Sequence, residues 1–123
     1  MSDAASSKII NDAKTYTSAH IFYGIAKELD REGAKLNRTH SREALRLACD
    51  VGLLSAQLME PIHVEPCRAK LLYGVTQLCY QGGRNGKAIL LVVKALDNDP
   101  PEEIKIKLEA LRTQILEAME EHQ

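Results

Sequence analysis

Three glycines within five residues, Gly82, Gly83 and Gly86, divide two apolar segments, and this punctuation constrains the fold more than any other feature. Before it, Leu71, Leu72, Val75, Leu78 and Cys79 recur at the three- and four-residue spacing of one helix face. Glycine tolerates the positive-φ conformations that end a helix, so the chain should turn there. After it, Ala88 to Val93 is continuously apolar, with β-branched residues at Ile89, Val92 and Val93 that would also suit a buried strand. Helix is the better reading. Lys87, Lys94 and Leu96 extend the run to about three turns. Ala88 and Ala95 favour helix, and no second strand-like segment exists to pair with a lone strand. Pro100 and Pro101 stop the segment, so 67–101 is expected to be a helical hairpin.

Within it, Ala69, Leu72, Val75, Cys79, Gly83, Ala88, Val92, Ala95, Leu96 and Pro100 fall at spacings that resemble one tetratricopeptide repeat, a helical pair of about 34 residues. The resemblance covers 69–102. Small residues in that family let the paired helices approach closely, and it places Ala88 and Ala95 at such positions. Leu72, Thr76 and Cys79 stand where the family commonly has tryptophan, glycine and tyrosine. The family's lysine and asparagine clamp for acidic peptide ends is not reproduced.

Helical patterns also flank the hairpin. Ile9, Ile10, Ala13, Tyr16, Ile21, Phe22, Ile25, Ala26 and Leu29 predict a helix ending by Gly33, with an interruption expected near Thr15 to Ser18. A polar connector follows, with Thr39 or Ser41 as the expected cap. Ala44, Leu45, Leu47, Ala48, Val51, Leu54, Leu58 and Met59 then mark a wide apolar face from Ser41 to Glu60. Pro61 and Pro66 bracket an extended link. Asp99, Pro100 and Glu102 read as the capped start of a last helix, whose stripe is Ile104, Leu108, Leu111, Ile115, Leu116 and Met119. Residues 1–7 are small and polar and are expected to be a flexible N-terminus, leaving 8–123 as a single helical domain.

Composition points to the same class. Only 4% of the 123 residues are aromatic, which leaves the core to aliphatic residues and alanine, the usual filling of helical bundles. The expected fold is therefore all-α, a compact antiparallel helical bundle of four to six helices with a tetratricopeptide-like helical hairpin. No apolar run is long enough to span a bilayer, and the start lacks the pattern of a secretory signal. With three cysteines, an odd number, a reducing cytoplasmic setting is expected. Residues 97–123 carry eight acids and three bases, a net of −5 within a chain whose total is −1. That polarity allows self-association, although packing of the last helix would partly neutralise it.

Candidate chemistry is sparse. Arg31, Lys35, Arg38, Arg42 and Arg46 recur at spacings of four, three, four and four, and on one helix they would form a ridge suited to phosphates or acidic side chains. Gly33 argues against one continuous helix, and no interleaved aromatics support base stacking. Gly82 to Lys87 lacks the spacing and the Ser or Thr of a phosphate loop. His63 and Cys67 lie four apart without the close cysteine pairing of a structural zinc site. Glu28, Glu32, Asp50 and Glu60 are the carboxylates considered for a magnesium-dependent bundle enzyme, and their pattern reads as surface. His20 reads as a packed or partly exposed residue. No catalytic residue, metal or cofactor is assigned.

The sequence thus points to a protein-protein interaction module, an adaptor or small chaperone, that binds a peptide or helix of a partner. Its expected contact residues are Lys70, Tyr73, Gln77 and Tyr80, on the less apolar side of the first hairpin helix. Two alternatives stay open: nucleic-acid or acidic-partner binding through the basic ridge, and a small helical-bundle enzyme.

Overall fold

The structure, a computed structural model, describes residues 3–121. Five helices follow one another: α1 (Asp3–Gly33), α2 (Arg38–Met59), α3 (Cys67–Gln81), α4 (Asn85–Asp97) and α5 (Glu102–Glu121). There is no strand among the described residues, so the apolar run after Gly86 is helical and the all-α expectation holds. Each helix packs mainly on its neighbours in sequence, and α3 also reaches α1 and α5. No described helix is long and apolar enough to cross a membrane.

α1 is continuous for 31 residues, a rod of roughly 46 Å. The interruption expected near Thr15 to Ser18 is absent, because the Thr15 and Thr17 hydroxyls donate to the carbonyls of Asn11 and Ala13 (2.9 and 3.0 Å) and are satisfied inside the helix. The helix also begins at Asp3, within the stretch expected to be loose, while Met1 and Ser2 lie outside the described residues. Its buried positions are small. Ala19, Ala26 and Gly33 recur every seven residues and bring α2 close, so that a Cβ on Gly33 would stand 2.4 Å from the Ala44 Cβ.

α2 starts earlier than expected. Its cap is Asn37, not Thr39 or Ser41, and the Asn37 Oδ1 accepts the His40 backbone N–H at 3.0 Å. Its buried face is made of Ala48, Cys49, Gly52, Ser55, Ala56 and Met59. Leu47 and Leu54, assigned by periodicity to the core, are instead about half exposed. Small residues carry the packing here, and they leave a weak periodic signal.

α3 is the hub, with nine of its fifteen residues buried. The turn into α4 closes as a Schellman motif. Gly83 takes φ +77, its N–H reaches the Tyr80 carbonyl, and the Arg84 N–H reaches the Cys79 carbonyl at 2.8 Å. Every resemblance position from Ala69 to Ala95 that faces inward, namely Ala69, Leu72, Val75, Cys79, Ala88, Val92 and Ala95, is fully buried. α5 closes the far side with Ile104, Leu108, Leu111 and Ile115, while Leu116 is exposed. Asp99 is not its cap: it sits at φ 47 in the turn, and the helix begins after Pro101.

One buried cation fixes the junction. Arg68 is 4% exposed, and it donates from Nε to the Glu60 carbonyl (2.8 Å) and from Nη1 to the Lys94 carbonyl (3.0 Å). These carbonyls lie at the C-terminal ends of α2 and α4, where the helix dipole favours positive charge. Beside it, Glu65 accepts from the Ala69 N–H and the Asn98 amide, and His63 pairs with the Asn98 oxygen, pinning the link 60–66 to the end of α4. The Glu65–Pro66 bond is cis.

Candidate partner-binding face

Lys70, Tyr73, Gln77 and Tyr80 occupy successive turns of α3. Lys70 is exposed and the other three are partly buried, with Tyr73 and Tyr80 resting against the core. Gln77 donates to the Tyr73 hydroxyl at 3.2 Å, so the row presents phenol, amide and ammonium groups from a firmly packed helix. Its rigidity comes from Leu71, Leu72 and Val75 on the opposite side, all essentially buried.

Next to this row runs a seam that periodicity alone did not reveal. Tyr16 of α1 reaches Cys67, whose hydrogen bond is the leading cause that raises the Tyr16 pKa. Seven residues further along each helix, Tyr23 brings its hydroxyl end against Gly74, where a Cβ would stand 1.7 Å from the Tyr23 hydroxyl. The equal offset means that α1 and α3 run parallel. Burial holds the Tyr23 pKa above its ordinary value. Lys27 sits over the Tyr23 ring at 5.6 Å, and His20 stacks at a tilt on Tyr16. Tyr16, His20, Tyr23 and Lys27 thus border the α3 row with aromatic and cationic groups. The readable signal was a glycine, Gly74, inside an otherwise strong helix, which marks a close approach.

On the other layer, α2 and α4 also run parallel. Asp50 pairs with Arg84, and Glu60 pairs with Lys94 at 3.1 Å, each pair spanning 34 positions. Between these ion pairs lies a cleft of about 400 Å³, floored by Leu53, Ala56 and Leu91 and rimmed by Gln57 and Lys87. In the sequence, Asp50 and Glu60 are among the carboxylates considered for a magnesium site, with a pattern that reads as surface. Glu28 and Glu32 are likewise held by cations, Arg31 and Lys35, on the surface. The Arg31 hydrogen bond foremost keeps the Glu28 carboxyl below its ordinary range. The four carboxylates therefore form outward ion pairs and do not converge on an interior site. His63 and Cys67 are likewise engaged separately, with Asn98 and Tyr16.

The basic series is divided between elements. Arg31 closes α1, Lys35 lies in the turn, and Arg38, Arg42 and Arg46 follow one face of α2. All five are exposed. Arg31 and Lys35 are committed to Glu28 and Glu32, whereas Arg38, Arg42 and Arg46 make no ion pair among the described residues. The ridge is thus three arginines long. Comparison with protein-family models, with curated proteins and with solved structures found no match to this chain.

Proposed function

We propose that this protein is a protein-interaction module, an adaptor or small chaperone of the cytoplasm, that holds a peptide or helix of a partner along α3. The observation that carries the reading is the row Lys70, Tyr73, Gln77 and Tyr80: partly open aromatic and amide groups fixed on the most buried helix. Such groups bind at low entropic cost, because their positions are set before the partner arrives. A tetratricopeptide-like organisation is part of the proposal. It is supported by the parallel arrangement of α1 with α3 and of α2 with α4, and by the 34-residue span of both α2–α4 ion pairs, the length of one repeat.

A second reading rests on the unpaired face of Arg38, Arg42 and Arg46, which would suit a nucleic acid or an acidic partner. One pull-down separates the two. The tagged protein is incubated with cytoplasmic extract, with and without nuclease, beside a Lys70→Glu, Gln77→Glu variant and an Arg38→Ala, Arg42→Ala, Arg46→Ala variant. A defined protein that survives nuclease and the arginine replacements but is lost with the α3 variant supports the module. Nuclease-sensitive, arginine-dependent capture overturns it.

A further inference from the structure

The α2–α3 interface contains a pair of thiols that the partner-binding reading does not use. Cys49 and Cys79 are both fully buried, and their Sγ atoms lie 2.9 Å apart. A disulfide bond is about 2.05 Å long, so bonding requires the sulfurs to approach by less than about 1 Å. The surroundings distinguish the two thiols. Arg84, which precedes α4, pairs with Asp50 and also reaches the Cys49 sulfur. The hydrogen bond from Cys79, assisted by the Arg84 guanidinium, brings the Cys49 thiol down to about 7 against the effect of burial. Its partner is pushed the other way, first by the hydrogen bond to Cys49 and then by burial. Cys49, the thiol beside the Arg84 guanidinium, is the one taken to attack first, with Cys79 at 2.9 Å to resolve it. Arg84, the cation beside Cys49, is 27% exposed at its side chain.

We propose that Cys49 and Cys79 form a reversible intramolecular disulfide, a redox modification site for hydroperoxides that ties α2 covalently to α3. The Cys49 thiolate attacks the terminal oxygen of the hydroperoxide, the O–O bond breaks, and the departing alkoxide takes a proton to leave as alcohol or water. Cys49 is then a sulfenic acid. The Cys79 sulfur attacks it, the S–O bond breaks, and hydroxide leaves as water with the Cys79 proton. Two electrons pass from the thiols to the peroxide, and a dithiol reductant reverses the change. The bond would close a loop spanning 30 positions and shift the folding equilibrium toward the native state by roughly several hundredfold. Cys67, engaged with Tyr16 at the start of α3, takes no part.

The test uses the 123-residue chain with Cys67→Ser, so that only the pair remains. It is exposed to hydrogen peroxide in the folded state and, separately, refolded from urea in a glutathione redox buffer. The expected result is a loss of two hydrogens by intact mass, no maleimide-reactive thiol and a peptide joining Cys49 to Cys79. Dithiothreitol should restore both thiols and lower the urea midpoint. A Cys49→Ser variant should form no internal bond in either arm. Thiols that remain free in both arms, oxidation that ends at sulfinic acid, or bonds formed only between molecules would each overturn the proposal.

Discussion

α1 and α3 both carry recurring aliphatic residues, yet the structure uses them in opposite ways. α3 buries nine of fifteen residues, because α2 and α4 pack on it and α1 and α5 reach it. α1 leaves Ile9, Ile10, Ile21 and Ile25 46–58% exposed, and buries alanine and glycine against α2. The difference comes from position in the stack. A central helix meets neighbours on most sides, whereas α1 packs chiefly on α2 and touches α3 only lightly. Apolar periodicity identifies a helix, but the number of packing partners decides which residues are buried.

The comparison can be broken or sharpened by substitution, with urea unfolding as the readout. Leu72→Ala in the hub should cost about 3 kcal/mol, since it removes a fully buried side chain from a site fixed by several helices. A cost below about 1 kcal/mol would deny α3 its central role. Arg68→Met should cost about 2 kcal/mol, because it leaves the Glu60 and Lys94 carbonyls without their charged donor. Ala26→Leu tests the close α1–α2 contact and should cost about 2 kcal/mol by overpacking a fully buried small site. Loss of the α2 cap in Asn37→Ala should cost about 1 kcal/mol. The smallest effect belongs to Ile21→Ser, within about 0.5 kcal/mol, because this side chain is 58% exposed. A protein-concentration-dependent loss above that value would mean that a second copy covers α1 in solution.

Much of the architecture was legible from residues 67–101, because aliphatic periodicity, clustered glycines and two prolines all marked the same hairpin. α4 was separable from a strand through Ala88 and Ala95 and through the lack of a pairing strand. The α2 interior was harder to read. Its packing uses Ala48, Cys49, Gly52, Ser55 and Ala56, whose small side chains give less contrast than the exposed Leu47 and Leu54. Arg68 was invisible as a structural residue, because its partners are backbone carbonyls at two distant helix ends. At the candidate site, Lys70, Tyr73, Gln77 and Tyr80 could be placed on one helix from spacing alone. Tyr16 and Tyr23 could not be placed beside them, since parallel alignment of α1 with α3 is a tertiary property. Gly74 was the single local trace of it.

The most direct test of the proposed α3 face is photocrosslinking in cytoplasmic extract, with a photoreactive amino acid placed in turn at positions 70, 77 and 42. The account predicts that positions 70 and 77 crosslink to the same defined protein and that position 42 does not. Crosslinks confined to position 42, or to nucleic acid from any of the three, would contradict it.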